Sequence, residues 1–196
     1  MLNKTLMWTA VIVTIVVLAI RSVSAVEKDS GTPKGIPPST VANYLHAVIE
    51  ADRTFYTVHV VERLQKKGVL VASENWRIEN TLPLPAQFLR ESSELAEMTG
   101  TKVRYRLIGL WPINKENGAA TEFERQGLKE VQLHPERSYT GTLTSGTEQF
   151  FQAVYADRAV TQACIGCHNA HPKSPKRDFK IDDVMGGIVI SIPLNP

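Results

Sequence analysis

The sequence predicts an α+β fold: an antiparallel sheet, a long N-terminal helix, and further helices packed on one face of the sheet. Helical periodicity fills the early part of the chain, whereas β-branched and aromatic runs separated by turn residues dominate the second half. Helices first and strands later, without regular alternation, favours an antiparallel sheet with segregated helices. The 196 residues are 43% hydrophobic and 21% charged, with a mean hydropathy of −0.13, which suits one domain with a real core and excludes a disordered or low-complexity chain.

The elements follow in order. Ser39 or Thr40 is placed to cap a helix that runs to about Lys67 and stops at Gly68. At about 100° per residue, Leu45, Val48, Ile49, Phe55, Tyr56, His59 and Val60 share one broad face. Asp52 and Arg63 share it too, which is unusual for a plain core stripe. Ser73–Pro85 is rich in turn residues, and Ala86–Met98 reads as a second helix closed by Gly100. Val103–Pro112 reads as a strand. Thr121-Glu122-Phe123-Glu124 is a capping-box pattern that starts a helix with Leu128 and Val131 inward. Tyr139–Thr144 and Gln149–Tyr155 form an expected hairpin about Ser145-Gly146, and Gly187–Leu194 is a closing strand.

The N-terminus reads as an address. Lys4 precedes sixteen uncharged, mostly apolar residues, Thr5–Ile20, followed by Arg21 and the small-residue pattern Val23-Ser24-Ala25. A membrane span needs roughly 20 residues, so residues 1–25 are expected to be a signal peptide cut after Ala25, with an uncleaved anchor as the competing reading. Either way the rest is exported, to the periplasm or another extracytoplasmic space. Residues 26–38, with three prolines and two glycines, read as a linker, and 39–196 as the domain. Lys4 and Arg21 account for the whole excess of 22 basic over 20 acidic residues, so the exported part is neutral and offers no nucleic-acid footprint.

Both cysteines of the chain fall in one motif, Cys164-Ile165-Gly166-Cys167-His168. Two thiols three positions apart can each add to one vinyl group of a haem, and the adjacent His then supplies the proximal iron ligand. Two other readings compete. A thiol redox pair is expected after the first strand of a βαβ unit, whereas this motif lies near the C-terminus. Zinc held by Cys164, Cys167, His168 and His171 requires adjacent residues to reach one tetrahedral ion, and no distant second ligand pair exists. One covalent haem c is therefore expected.

The distal iron ligand is open among His59, His46, Met98, Met185 or none. His171 is too near His168 along the chain to cross to the other haem face, and His134 precedes Pro135 at a helix end. His59 lies on the expected inner face of the long helix. Charges on that face suit the two haem propionates, so His59 is taken as distal ligand and Arg63 or Arg53 as propionate partner. Trp76 and Trp111 are candidates for the pocket wall or ordinary core. The basic run Lys173–Lys180 is either a solvated loop or a dock for an acidic redox partner.

Several segments carry a resemblance: Ala51-Asp52-Arg53 with Tyr56 and Val60–Leu64, Ser73–Trp76, Leu82–Ala86, Leu110–Asn114, Cys164–Pro172, and Asp183–Gly187. The sequence resembles the bacterial single-haem c-type cytochrome domains with a PAS-like fold, found alone or as the sensory module of histidine kinases and chemoreceptors. The resemblance implies one haem on Cys164 and Cys167 with His168 axial, against a PAS-like sheet, and a role in electron transfer or in redox or gas sensing. A relative of this kind uses a cysteine of the N-terminal helix as second axial ligand; this chain has no third cysteine, so that ligation does not carry over.

The expected function is periplasmic electron transfer or redox sensing. The alternative is a gas or redox sensor with a displaceable distal ligand. Nothing after Pro196 adds an output domain, so a sensor would signal through a partner protein. No acid–base constellation accompanies the motif, so an enzyme is not expected. A redox or signalling partner, a membrane anchor and a homodimer paired through the long helix complete the expectations.

Overall fold

Pro37 and Pro38 open the first helix, α1 (Pro38–Phe55), in the computed structural model, which describes residues 35–194. Proline at the first helical position has its φ pre-set and lacks only an N–H that would find no partner there. Ser39 and Thr40 therefore sit inside the first turn and do not cap it. The chain then leaves α geometry: Tyr56–Glu62 is a π-helical segment, followed by the short α2 (Arg63–Lys66) and a stop at Gly68, whose φ is +65°. The expected leader, residues 1–25, and most of the linker lie outside the described residues. No described helix is long and apolar enough to cross a membrane.

The π segment decides which side chains turn inward. A π turn closes on i→i+5 bonds, so each residue advances by less than the ~100° of an α-helix. Arg53, Thr57 and Val61, four apart, consequently stay in line and are all buried, continuing the face begun by Ala42 and Ile49. The expected broad face splits. Leu45 and Ile49 pack inward, but Val48 and Phe55 are 61% and 62% exposed, and His59 and Arg63 are exposed as well.

Next come α3 (Trp76–Glu79), ended by Asn80 in left-handed geometry, and α4 (Pro85–Glu97), where Leu84 N–H donates to Gln87 Oε1 at 3.0 Å. Strand β1 (Arg104–Gly109) leads to α5 (Glu122–Leu133). The capping box there is real: Glu124 N–H donates to Thr121 Oγ1 at 3.2 Å and Thr121 N–H to Glu124 Oε2 at 3.3 Å. The Glu124 carboxylate, itself buried, also takes two bonds from Arg106 Nη2 of β1, at 2.7 and 2.8 Å, which ties α5 to the sheet. The hairpin β2 (Tyr139–Ser145) and β3 (Glu148–Arg158), helix α6 (Gln162–Ala170) and β4 (Val184–Pro193) complete the chain.

The four strands form one antiparallel sheet in the order β1-β4-β3-β2. Alternate residues serve opposite faces. Ala153 and Tyr155 with their partners Ile190 and Ile188 pack under α1 and α4, against Ala42, Ile49 and Leu89. Val154, Val189 and Ile108 pack on the other face, against Leu128 and Val131 of α5. Helices therefore cover both faces, not one. The cause is visible in β4, whose six consecutive buried residues from Met185 to Ile190 leave no solvated side. Gly127 lets α5 lie close, since a Cβ there would stand 2.7 Å from Val154 Cγ2.

Candidate functional site

Helix α6 carries the C-x-x-C-H motif, and three devices seat it. Thr161 caps its start, accepting from Ala163 N–H at 3.2 Å. Asn169 clasps the backbone of Phe179 in both directions: its Nδ2 donates to Phe179 O, and its Oδ1 accepts from Phe179 N–H, each at 2.9 Å. Beneath lies a small apolar cluster of Ala159, Phe179 and Met185, with Trp111, Cys164 and Ile165 against it. Phe179 meets both His168 and Trp111 edge-on, with ring centroids 5.7 Å apart in each pair.

In this helix the spacing becomes geometry. Cys164 lies three residues before Cys167 and four before His168, so the three side chains share one helical face. That face borders a cavity of about 610 Å³, a size that suits a small-molecule or cofactor site. Facing walls come from Arg53, Thr57 and Val61 of the first helix, from Ala72–Asn75 and Leu84–Ala86, and from Leu107–Gly109 and Pro112–Asn114. Gly186 lets β4 approach β1 at the cavity's edge: a Cβ there would lie 2.0 Å from the Ile108 carbonyl oxygen.

The buried charge of the cavity lies in one ion pair. Asp157 continues the inward face of Ala153 and Tyr155 past the apolar part of β3, at a register shift between Asp157 and Arg158. Its Oδ1 takes a 2.6 Å bond from Arg53 Nη2, with both side chains buried. Burial pushes the Asp157 carboxyl up from the usual carboxylate range, and the Arg53 guanidinium opposes that shift. Arg53 Nε and His168 Nδ1 are also buried, and neither has a hydrogen-bond partner. Burial lowers the His168 pKa, with His171 and Arg53 adding to it, so its imidazole is neutral near pH 7, the form that ligates a metal.

These features discriminate among the chemistries of the motif. Burial and then Cys164 push the Cys167 thiol up, away from the low-pKa thiolate of a redox pair. Among the described residues no three His, Cys, Asp or Glu side chains converge on one point, so Cys164, Cys167, His168 and His171 do not form a tetrahedral cage. Two thiols and a neutral imidazole on one face, bordering a roomy apolar cavity with two unmatched polar atoms at hand, fit a covalently attached haem.

The other expected site residues fall differently. Arg53 lines the cavity; Arg63 does not and is exposed. His59 lies on the outside of the helix against Phe55, ring centroids 4.9 Å apart, because the π segment keeps the Arg53–Thr57–Val61 line inward in its place. The structure thus does not bring His59 to the cavity. His46 stacks on Tyr155 at 3.9 Å, away from the cavity, and Met98 is 82% exposed. Met185 lines the cavity from the wall beneath α6. Trp111 packs beside Phe179, and Trp76 lies under Arg77 at 4.5 Å; neither lines the cavity. In the basic run, Lys176 Nζ sits over the Trp111 and Phe179 rings at 5.4 and 4.9 Å, while Lys173, Arg177 and Lys180 are exposed. Asp157 escaped sequence reading, although a lone acid in step with the inward residues of an apolar strand is its signal.

Fold and site define a class: an α+β domain whose C-x-x-C-H helix forms one wall of an apolar cavity holding a buried arginine–aspartate pair. Residues 10–193 match the Tll0287-like family, and the chain belongs to it. A crystal structure described as that of the cyanobacterial haem protein Tll0287 is 16% identical to it, with a TM-score of 0.47, over 81% of this chain and 98% of that one. No curated protein matches the chain.

Proposed function

We propose that this chain is an exported, single-haem c-type protein that carries electrons or reports redox state, and is not an enzyme. One observation carries the reading: both cysteines and His168 border the same cavity from one face of one helix. Cys164 and Cys167 would hold the haem, each thiol adding across a vinyl group with its proton going to the other vinyl carbon. His168 would ligate the iron, and Arg53, with its unmatched Nε, would be the cavity's counter-charge for a propionate. When bound, the haem supplies a one-electron iron centre. Membership of a family named for a protein described as a haem protein supports the assignment. The PAS-like likeness of the sheet, export through the apolar leader to the periplasm, and a redox or signalling partner belong to the same reading. The exposed basic side chains beside α6 suit a partner with an acidic face.

A second reading, a gas or redox sensor with a weak or displaceable distal ligand, is favoured by the facing wall. Arg53, Thr57 and Val61 are not strong iron ligands, and the further histidine and the methionine at the cavity, His171 and Met185, stand on the side of α6. The test is an optical spectrum of protein exported alongside a haem-maturation system, oxidised, reduced, and with CO. A covalent low-spin haem indifferent to CO supports electron transfer, a ready CO shift supports the sensor, and no covalent haem overturns both.

A further inference from the structure

The cavity wall holds a buried carboxylate that covalent haem attachment does not require. Asp157 stands opposite Gly186 of β4, is 5% exposed, and its Oδ1 rests on Arg53 Nη2 at 2.6 Å. From the first helix Arg53 and Glu50 act on it, Glu50 lying three residues before Arg53 with its side chain 45% exposed. The neighbouring strand brings Gly186 and Gly187, without charge. Helix α6 brings His168 and His171 to the cavity, and the Ala72–Asn75 wall brings Glu74, which is exposed. Among the described residues, Arg53 is the one guanidinium or ammonium group lining the cavity. A propionate drawn to Arg53 would therefore share that single cation with Asp157. Two carboxylates about one guanidinium leave an excess negative charge, which a buried site holds at a cost. Burial already pushes the Asp157 carboxyl up, Arg53 holds it down, and Glu50 adds to the rise.

We propose, resting on the haem reading, that Asp157 couples electron transfer to a proton: it takes one proton from solvent for each electron the iron accepts from a one-electron donor protein. On reduction the ferric iron becomes ferrous, and an O–H bond forms at Asp157 Oδ2 while Oδ1 keeps its bond from Arg53. Reoxidation sends the electron to an acceptor protein and the proton back to solvent. The physical cause is charge balance. Asp157 keeps its negative charge while the oxidised iron's extra positive charge supports it, and gains the proton when reduction removes that support. Its pKa is therefore higher in the reduced protein than in the oxidised protein. Between those two values the reduction equilibrium changes tenfold per pH unit, or ~59 mV for one electron, and the potential falls as pH rises. Outside them the proton count is the same in both states and the potential is flat.

The test is the reduction potential of the full, haem-loaded protein, titrated optically from about pH 4, near the ordinary aspartate value, to about pH 9. Wild type is expected to show a sloped segment within this range, and Asp157→Asn to flatten it. Where Asp157→Asn fails to fold or to load, wild type decides through its reduced-minus-oxidised infrared difference spectrum. That spectrum is expected to gain a protonated-carboxyl C=O band, which shifts when the aspartates are isotope-labelled. A potential independent of pH, in protein that carries covalent haem, overturns the proposal and leaves the haem reading standing. A slope that persists in Asp157→Asn, or a band indifferent to aspartate labelling, overturns it and moves the proton to a propionate or to His171. Protein without covalent haem overturns both.

Discussion

The sheet's centre and its cavity end are built on opposite principles. At the centre, Ile188, Ile190, Val154 and Val189 are almost wholly buried among apolar neighbours on both faces, and the packing is complete within the chain. At the cavity end the same strands deliver a buried ion pair, a buried histidine nitrogen without a partner and a space of about 610 Å³. Burying charge and unmatched polarity opposes folding. The difference teaches that stability is supplied by the centre and that the cavity end is shaped for a ligand.

The sharpest way to break this contrast is to remove the attachment points. A Cys164→Ala/Cys167→Ala variant is expected to lose covalent haem completely, read as loss of the haem-associated band on a denaturing gel and of the haem increment in intact mass. If the folded variant keeps covalent haem, the cavity end has been misassigned. In haem-free protein Asp157→Ala leaves Arg53 buried with no counter-charge and is expected to destabilise by about 3–5 kcal/mol in denaturant unfolding, and by less when haem supplies a propionate. An Arg53→Met/Asp157→Leu pair is expected to restore most of that. At the centre, Ile190→Ala is expected to lose about 2–5 kcal/mol whether or not haem is attached. An equal haem dependence for Asp157→Ala and Ile190→Ala would erase the distinction between the two regions.

A smaller effect comes from His46, whose pKa is lowered by burial against the Tyr155 ring while Glu50 pulls it up. Below its unfolded value of about 6.5 the unfolded chain takes the proton first, so stability falls as pH drops through that value toward the lower folded pKa. His46→Gln is expected to flatten that part of the melting-midpoint profile of the haem-loaded protein. The smallest effect expected is none: His59→Ala leaves the oxidised and reduced spectra unchanged, because its ring lies tilted against exposed Phe55 outside the cavity. A lost or shifted low-spin band would return His59 to the iron.

Much of the fold was legible because it rests on local signals. The capping box at Thr121 and Glu124, the glycine stop at Gly68, the hairpin about Ser145-Gly146 and the closing strand all follow from side chains acting on their own backbone. In the site, the spacing of Cys164, Cys167 and His168 was legible, and the helix turns that spacing into one face bordering the cavity. The long helix was misread for a physical reason. Too wide an arc was read as one face, merging the core face, Leu45 and Ile49, with the outer stripe of Val48 and Phe55, and beyond Tyr56 the π geometry turns Thr57 and Val61 inward in place of His59. Helices on one face was a second misreading, although the unbroken apolar run of β4 already argued for cover on both.

The sequence by itself determined most of the elements and the spacing of the C-x-x-C-H motif, since each depends on neighbours along the chain. Only the tertiary structure decided that Arg53 meets Asp157, more than a hundred residues later, that Ser73–Asn75, Leu84–Ala86 and Pro112–Asn114 close round one cavity, and that His59 faces away from it. Those pairings depend on strand register and on the pitch of one helical turn, which are set by packing of the whole core and not by any local run of residues.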